Sequence, residues 1–116
     1  MLGRILRLLR GPAVTVPGTD RLAEGEGRTV DVGDPLADGK QVLLCRVGGK
    51  VYALDTLCPH EGGRIQPGPL ADGKYAFCPL HNYRFDPRTG AAVGAACRPA
   101  RRCKVEERGN DSLLWP

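Results

Sequence analysis

The sequence predicts an all-β fold, a small barrel or sandwich of short strands joined by tight turns. Glycine and proline are both abundant, with 16 and 10 residues in a chain of 116. Stretches rich in β-branched and aromatic residues alternate with turn dipeptides such as Gly48-Gly49 and Asp72-Gly73. The length suits one domain, and no apolar run approaches the length of a transmembrane helix.

The strand pattern begins after Pro12 and continues to the end of the chain. Two residues, Gly48-Gly49, separate the segments 41–47 and 50–54, which is the signal of a β-hairpin. Asp72-Gly73 predicts a second turn, and the hexapeptide PLADGK around it also occurs at 35–40, which indicates reused turn chemistry. The predicted strands are 14–16, 28–32, 41–47, 50–54, 75–78, 101–106 and 112–115, the last two joined across 109–111.

The first ten residues, MLGRILRLLR, have a different pattern from the rest. Their leucines and isoleucine fall on one side of a helix and their arginines on the other, and Gly11-Pro12 ends the segment. We therefore assign 1–12 to a short N-terminal amphipathic helix and 13–116 to the β domain. The helix is expected to pack on its own domain or a neighbouring subunit. The alternative is that residues 1–10 dock on a partner or on a membrane surface.

Charge and cysteine content narrow the function classes. The formal net charge is +4, but the basic residues are scattered and aromatic residues make up only 5%, which argues against nucleic-acid binding. Five cysteines would leave one unpaired in a disulfide framework, and no secretory signal is visible. The sequence therefore favours a cytoplasmic protein that uses cysteine to bind metal.

Two short Cys/His pairs are the candidate metal ligands. They are Cys58-Pro59-His60 and Cys78-Pro79-Leu80-His81, and each follows a predicted strand and enters a turn. Two loops can thus present two thiolates and two imidazoles to one point. This donor set suits either a tetrahedral zinc site or a mixed-ligand iron–sulfur site.

The strings CPHEGG, from Cys58, and CPLHNYRFDPRTG, from Cys78, resemble the ligand loops of the Rieske 2Fe–2S ferredoxins. The resemblance covers roughly 13–115 and implies a small Rieske-like β-barrel or sandwich with a cluster-binding subdomain of two ligand loops at about 57–90. It implies one 2Fe–2S cluster per chain, with Cys58 and Cys78 on the inner iron and His60 and His81 on the outer iron. The histidines, flanked by Pro59, Pro79 and Leu80, would then be the electron exit.

Mixed ligation has a physical consequence for the cluster. Two thiolates and two neutral imidazoles leave an oxidised 2Fe–2S cluster without net charge, whereas four thiolates would leave it dianionic. A neutral cluster accepts an electron more readily, so histidine ligation raises the reduction potential.

Departures from the respiratory members of the family favour the soluble ferredoxin branch. Those members have an extra cysteine in each ligand loop. Here, Leu80 and the stretch 61–64 stand at those places. They also carry a serine and a tyrosine beyond the second histidine, whose hydroxyl groups donate to the cluster. Here, the corresponding residues are Tyr83 and Phe85.

The remaining cysteines are expected to be non-ligands. Cys45 lies in the predicted strand 41–47 and should be a small buried hydrophobe, and Cys103 should pack in the core or at its edge. Cys97 belongs to the stretch 94–99, which matches the loop that covers the cluster in this family. We call this stretch the cover loop.

The resemblance implies an electron-transfer component, not a catalytic enzyme. It would carry one electron from a reductase to a terminal oxygenase or another oxidoreductase, as in the ferredoxin component of bacterial aromatic-ring dioxygenase systems. Two alternatives remain open at this point: the small Rieske-like subunit of a nitrite reductase, and a zinc-stabilised binding module.

Overall fold

The computed structural model describes residues 13–32, 40–59 and 63–116. The helix predicted within residues 1–12 lies outside these ranges. No helix in the described part of the chain has the length and apolar character needed to cross a membrane. The described strands are β1 (Val14–Val16), β2 (Glu26–Val32), β3 (Lys40–Val47), β4 (Lys50–Asp55), β5 (Gly68–Pro69), β6 (Ala76–Cys78), β7 (Tyr83–Phe85), β8 (Ala92–Val93), β9 (Arg102–Arg108) and β10 (Asp111–Trp115).

The strands form two antiparallel sheets, which confirms the predicted all-β class. Seven strands make the larger sheet, in the order β1-β10-β9-β4-β3-β2-β5, and β6-β7-β8 make the smaller one. The smaller sheet and the segment just before it carry both Cys/His pairs. The fold thus separates a supporting sheet from a site-bearing subdomain, as the resemblance implied.

Strand β3 is the centre of the fold because both of its faces are buried. Leu43 and Cys45 face one cluster of apolar side chains, and Val42 and Leu44 face another. All four are fully buried, and the alternation follows from the two-residue period of a strand. The first cluster, the site core, also contains Val47, Leu54, Cys58, Ile65, Leu70, Ala76, Cys78, Phe85 and Ala100. Burial of β3 on both faces explains why its sequence is a nearly continuous apolar run.

The two glycine-containing turns lie where the sequence predicts them. Gly48 and Gly49 have φ of 62° and 79°, and they join β3 to β4 in the register that pairs Val47 with Lys50. Asp72 and Gly73 also have positive φ, between the bridged residues 71 and 75. Left-handed conformations at both central positions are those of the primed turns that match the twist of antiparallel strands.

Several elements differ from the predicted ones. Strand β2 begins at Glu26 rather than at residue 28, and β9 continues to Arg108, beyond the predicted end at 106. The short strands β5 and β8 and the 3-10 helices Thr19–Arg21 and Leu80–Asn82 were not predicted. The short strands owe their place to pairing with β2 and β7, because their own sequences carry little strand propensity.

One arginine ties the larger sheet to its flanking loops. The guanidinium of Arg46 donates to the carbonyl oxygens of Thr19, Leu22 and Gly49, at 2.8, 2.5 and 2.9 Å. It also donates to the carboxylate of Glu107, at 3.2 Å. The Arg46 guanidinium has four acceptors, and hydrogen bonds from a charged donor are stronger than those between neutral groups. Arg46 therefore holds these loops firmly to the sheet.

The turn after β7 joins the site-bearing subdomain to the cover loop. Hydrogen bonds from Arg88 lower the pKa of Asp86, so this turn keeps its ion pair at neutral pH and loses it only as the pH falls through that lowered pKa. Gly90 ends the turn with φ of 81°, and its carbonyl accepts the N–H of Ala100 at 2.8 Å. A Cβ atom on Gly90 would lie 2.5 Å from the Ala100 carbonyl oxygen. Only glycine fits here without moving the end of the cover loop.

We predict that Gly90→Ala lowers the free energy of unfolding by about 3 kcal/mol. A left-handed alanine costs about 1–2 kcal/mol, and displacement of Ala100 removes a hydrogen bond worth about 1 kcal/mol. Gly94→Ala is the control, because Gly94 has φ of 73° but nothing within 4 Å of a Cβ atom. It should lose about 1–2 kcal/mol. Urea denaturation measures both variants, and equal losses would contradict the importance of the Ala100 contact.

Candidate metal centre

The first Cys/His pair lies on a short hairpin, residues 56–65, which we call the first ligand hairpin. The N–H of Cys58 donates to the carbonyl of Gly63 at 2.7 Å, and that of Ile65 donates to the carbonyl of Thr56 at 2.8 Å. Leu57 bridges to Arg64 between these two bonds. This pairing places Cys58 opposite Gly63, and Pro59 is the last described residue before the gap. His60 lies outside the described ranges.

A buried threonine anchors the base of the first ligand hairpin. Thr56 is fully buried, and both its N–H and its hydroxyl donate to the carbonyl of Gln41 at 3.1 Å. The same hydroxyl accepts a hydrogen bond from Arg64 at 3.3 Å, and the carboxylate of Asp55 accepts one from the N–H of Leu57 at 3.0 Å. Hydrogen bonds therefore attach the base of the hairpin to the end of β4 and to the start of β3.

The second Cys/His pair lies on the hairpin of β6 and β7, residues 76–85, the second ligand hairpin. Cys78 is the last residue of β6 and pairs with Tyr83 across the hairpin. Between them, Pro79 precedes a 3-10 turn, Leu80–Asn82, which contains His81. Asn82 has φ of 58°, and this left-handed residue returns the chain to β7. Cys78 thus stands at the end of a strand, and His81 lies on the turn that forms the tip of the second ligand hairpin.

A glycine brings the two hairpins into contact. A Cβ atom on Gly63 would lie 2.8 Å from the Cys78 sulfur and 3.1 Å from Leu80 Cβ. Gly63 is therefore needed for close approach of its backbone, and its φ is not among the positive ones. The N–H of Gln66 also donates to the carbonyl of Phe77 at 2.9 Å. Since Gly63 is hydrogen-bonded to Cys58 and touches the Cys78 sulfur, the two cysteines meet at one corner.

Both cysteines of the pairs face the site core. Cys58 is 2% exposed and Cys78 is fully buried, among apolar side chains that include Leu43 and Phe85. Soft thiolate ligands in a dry, apolar corner suit an iron–sulfur cluster or zinc. The two cysteines present therefore fit a metal centre that would take two thiolate ligands.

The cover loop packs on the same core. Cys97 is half-buried against the site core, while Arg98 and Pro99 are exposed. Ala100 returns to the core, and its N–H is bonded to Gly90. The cover loop thus lies beside the first ligand hairpin, with a groove between the two.

Cys45 and Cys103 are not suited to bind metal. Cys45 is buried in strand β3, and burial raises the pKa of its thiol to about 12. Burial also raises the pKa of Cys103. A thiol whose pKa is raised stays protonated near neutral pH and is a poor ligand. Cys45 and Cys103 are buried as predicted, and neither they nor Cys97 form a disulfide.

The structure brings together two of the four predicted ligands. Cys58 and Cys78 share the site core, His81 lies on the 3-10 turn of the second tip, and His60 falls outside the described residues. Within the described ranges, no group of three or more His, Cys, Asp or Glu side chains gathers at one point. The sequence did not single out Thr56 or the 3-10 turn. The backbone of Gly63 approaches the Cys78 sulfur.

Comparison with known proteins decides the family. The model of the Rieske 2Fe-2S domain matches residues 13–106, which is most of the chain. The chain belongs to the Rieske family. A Rieske domain binds a 2Fe–2S cluster, so this chain carries one and the zinc alternative is set aside.

Relatives of this Rieske chain include ferredoxins of known systems. The ferredoxin component of the naphthalene 1,2-dioxygenase system of Pseudomonas putida is 38% identical over 82 residues, which cover 71% of this chain and 78% of the relative. The solved ferredoxin of carbazole 1,9a-dioxygenase from Nocardioides aromaticivorans superposes with a TM-score of 0.74 at 34% identity, over 91% of this chain and 99% of that one.

A second solved structure shares the fold. It is a Mycobacterium tuberculosis chain described as an NADH-dependent nitrite reductase small subunit, with a TM-score of 0.64 at 20% identity, over 89% of this chain and 93% of that one. At that identity the likeness concerns the architecture alone.

We predict that Gly63→Ala lowers the iron content of this Rieske domain several-fold. The new methyl group would force the Cys78 sulfur and Leu80 away from the first ligand hairpin, and cluster binding depends on ligand geometry. Gly48→Ala is the control, because Gly48 has φ of 62° with nothing within 4 Å of a Cβ atom. It should lose stability but keep its iron. Iron and sulfide analysis with the visible spectrum measures both, and full iron content in Gly63→Ala would contradict the contact.

Proposed function

We propose that this protein is a one-electron carrier, a ferredoxin whose 2Fe–2S cluster is held by Cys58 and Cys78 inside and by His60 and His81 outside. The observation that supports it is the meeting of two buried cysteines, Cys58 of the first ligand hairpin and Cys78 at the end of β6, in the site core. The bound cluster supplies reversible one-electron chemistry. The protein passes electrons and is not itself a catalytic enzyme.

Different residues of the chain hold the cluster and leave it accessible to a partner. The two cysteines lie in the site core, where apolar side chains such as Phe85 exclude water. The tip of the second ligand hairpin is more open, since Leu80 is 38% exposed and Pro79 is also exposed. A partner therefore reaches the histidine side of the cluster without entering the core. Pro79 also stiffens the second tip, which limits movement when the charge changes.

The proposed partners are a reductase that donates the electron and a terminal oxygenase that accepts it. The relatives are ferredoxin components of dioxygenase systems, which is the support for this pairing. We propose a cytoplasmic location, in keeping with the cysteines Cys45, Cys97 and Cys103, which form no disulfide.

The second candidate is a small subunit of a nitrite reductase. The fold neighbour from Mycobacterium tuberculosis favours it, but its 20% identity is lower than the 34–38% of the ferredoxins. Co-purification with a large sirohaem protein would favour this second candidate. Reduction of an oxygenase component would favour the first.

The ligand set is tested by alanine variants at the four positions. We expect Cys58→Ala, Cys78→Ala, His60→Ala and His81→Ala each to lose the cluster and much of the stability, because cluster binding is coupled to folding. Cys97→Ser is the matched control, since Cys97 packs against the same core but is not a proposed ligand. It should keep iron and sulfide. Full occupancy in either Cys58→Ala or Cys78→Ala would remove the assignment.

The reduction potential is expected in the low part of the Rieske range, about −150 mV, and not near its upper end of about +300 mV. Hydrogen-bond donors to the cluster stabilise its reduced form and so raise the potential. Each charge-assisted bond contributes about 1.5–3 kcal/mol. For one electron, 1.4 kcal/mol corresponds to about 59 mV. Phe85, at one of the two positions that carry hydroxyl groups in high-potential members, is fully buried and has no donor. Protein-film voltammetry measures the potential, and a value well above zero would contradict this account.

A further inference from the structure

A groove runs along the flank of the cluster site, between the first ligand hairpin and the cover loop. Its volume is about 530 Å³. Apolar walls come from both sides, with Leu57 and Pro59 on the hairpin and Pro99 on the cover loop, and Leu57 is 50% exposed. We call it the lateral groove, and it is lined by Asp55, Leu57, Cys58, Pro59, Arg98, Pro99 and Arg101.

Two arginines give the lateral groove its charge. Arg98 and Arg101 are exposed, and neither guanidinium contacts a carboxylate among the described residues. By contrast, Arg46, Arg84 and Arg88 are each paired with a carboxylate at 3.0–3.2 Å. Two neighbouring cations without a carboxylate partner are a surface that an acidic partner can complement.

The acidic residue of the groove does not cancel this charge. The carboxylate of Asp55 accepts the N–H of Leu57 at 3.0 Å and lies 3.7 Å from the ammonium of Lys40. It is therefore already bound on two sides, within the hairpin base. The lateral groove keeps a net positive charge in a chain whose formal net charge is +4.

We propose that the lateral groove docks an acidic, partly apolar surface segment of the protein that exchanges electrons with this ferredoxin. Carboxylates of the partner pair with Arg98 and Arg101, and an apolar side chain packs between Leu57 and Pro99. This proposal rests on the proposed function, and it names the chemistry of the partner. Because Cys58 lines the groove, a partner seated there contacts the flank of the first ligand hairpin, beside the cluster. A small charged contact of this kind suits fast, transient association.

Electron transfer to two haem proteins of opposite charge tests the proposal. The reduced holoprotein is mixed in a stopped-flow instrument with cytochrome b5, which is acidic, or with cytochrome c, which is basic. For the wild type, the rate with cytochrome b5 should fall as ionic strength rises, because opposite charges are screened. The variant Arg98→Glu/Arg101→Glu should slow this reaction about tenfold at low ionic strength and speed the reaction with cytochrome c, since electrostatic steering changes sign.

A matched control distinguishes an effect of charge in the lateral groove from an effect of the net charge of the protein. Lys50→Glu/Arg108→Glu makes the same change of charge at the far ends of β4 and β9. Arg108 lies about 20 Å along β9 from Arg102, at about 3.3 Å per residue. We expect less than a twofold effect from this control. Its visible spectrum, like that of the groove variant, shows whether the cluster is retained.

A milder groove variant keeps the proposal testable if the charge reversal disturbs folding. Arg98→Gln/Arg101→Gln removes the two charges without reversing them, and the Arg101 carbonyl, which accepts the N–H of Asp55 at 2.8 Å, is unaffected. This variant should slow reduction of cytochrome b5 about threefold, between the wild type and the reversal.

The outcomes distinguish the two proposals. Equal slowing by the groove reversal and the control, or no slowing by either groove variant, would overturn the docking proposal while wild-type electron transfer leaves the carrier function intact. A wild-type protein that holds its cluster but reduces neither acceptor would overturn the proposed function, and the docking proposal with it.

Discussion

The close approach of Gly63 to the Cys78 sulfur is the contact on which the site depends. The Cys58 N–H holds Gly63 by a 2.7 Å hydrogen bond, and the absence of a side chain lets this backbone reach the second ligand hairpin. Two cysteines separated by most of the subdomain in sequence thereby meet at one corner. His81 comes three residues after Cys78, on the 3-10 turn that follows β6.

The larger sheet makes that corner rigid. Strand β3 carries Leu43 and Cys45 into the site core and Val42 and Leu44 into the opposite cluster, so the ligand hairpins rest on a strand that is buried on both sides. The carbonyl of Gln41, at the start of the same strand, receives both hydrogen bonds of Thr56. The ligand hairpins are thus fixed to the most deeply buried strand of the fold by packing and by hydrogen bonds.

The sequence predicted the hairpin of β3 and β4 and the burial of Cys45, because glycine turns and period-two alternation are local signals. It also predicted two metal-ligand pairs at strand ends. It did not predict β5, since Gly68 and Pro69 have little strand propensity and pair only because β2 lies beside them. The sequence also could not predict the contact between Gly90 and Ala100, or that Arg98 lies beside Leu57. Both features depend on where the cover loop lies in three dimensions.

The most direct test of the central claim is electron–nuclear double resonance on the reduced protein with ¹⁵N-labelled histidine. The chain has two histidines, so His60 and His81 are the sources of any signal from the label. If both bind the outer iron, the spectrum should show two strongly coupled ¹⁵N nuclei at the reduced iron. The absence of such couplings, or the presence of one alone, would contradict a cluster held by Cys58, His60, Cys78 and His81.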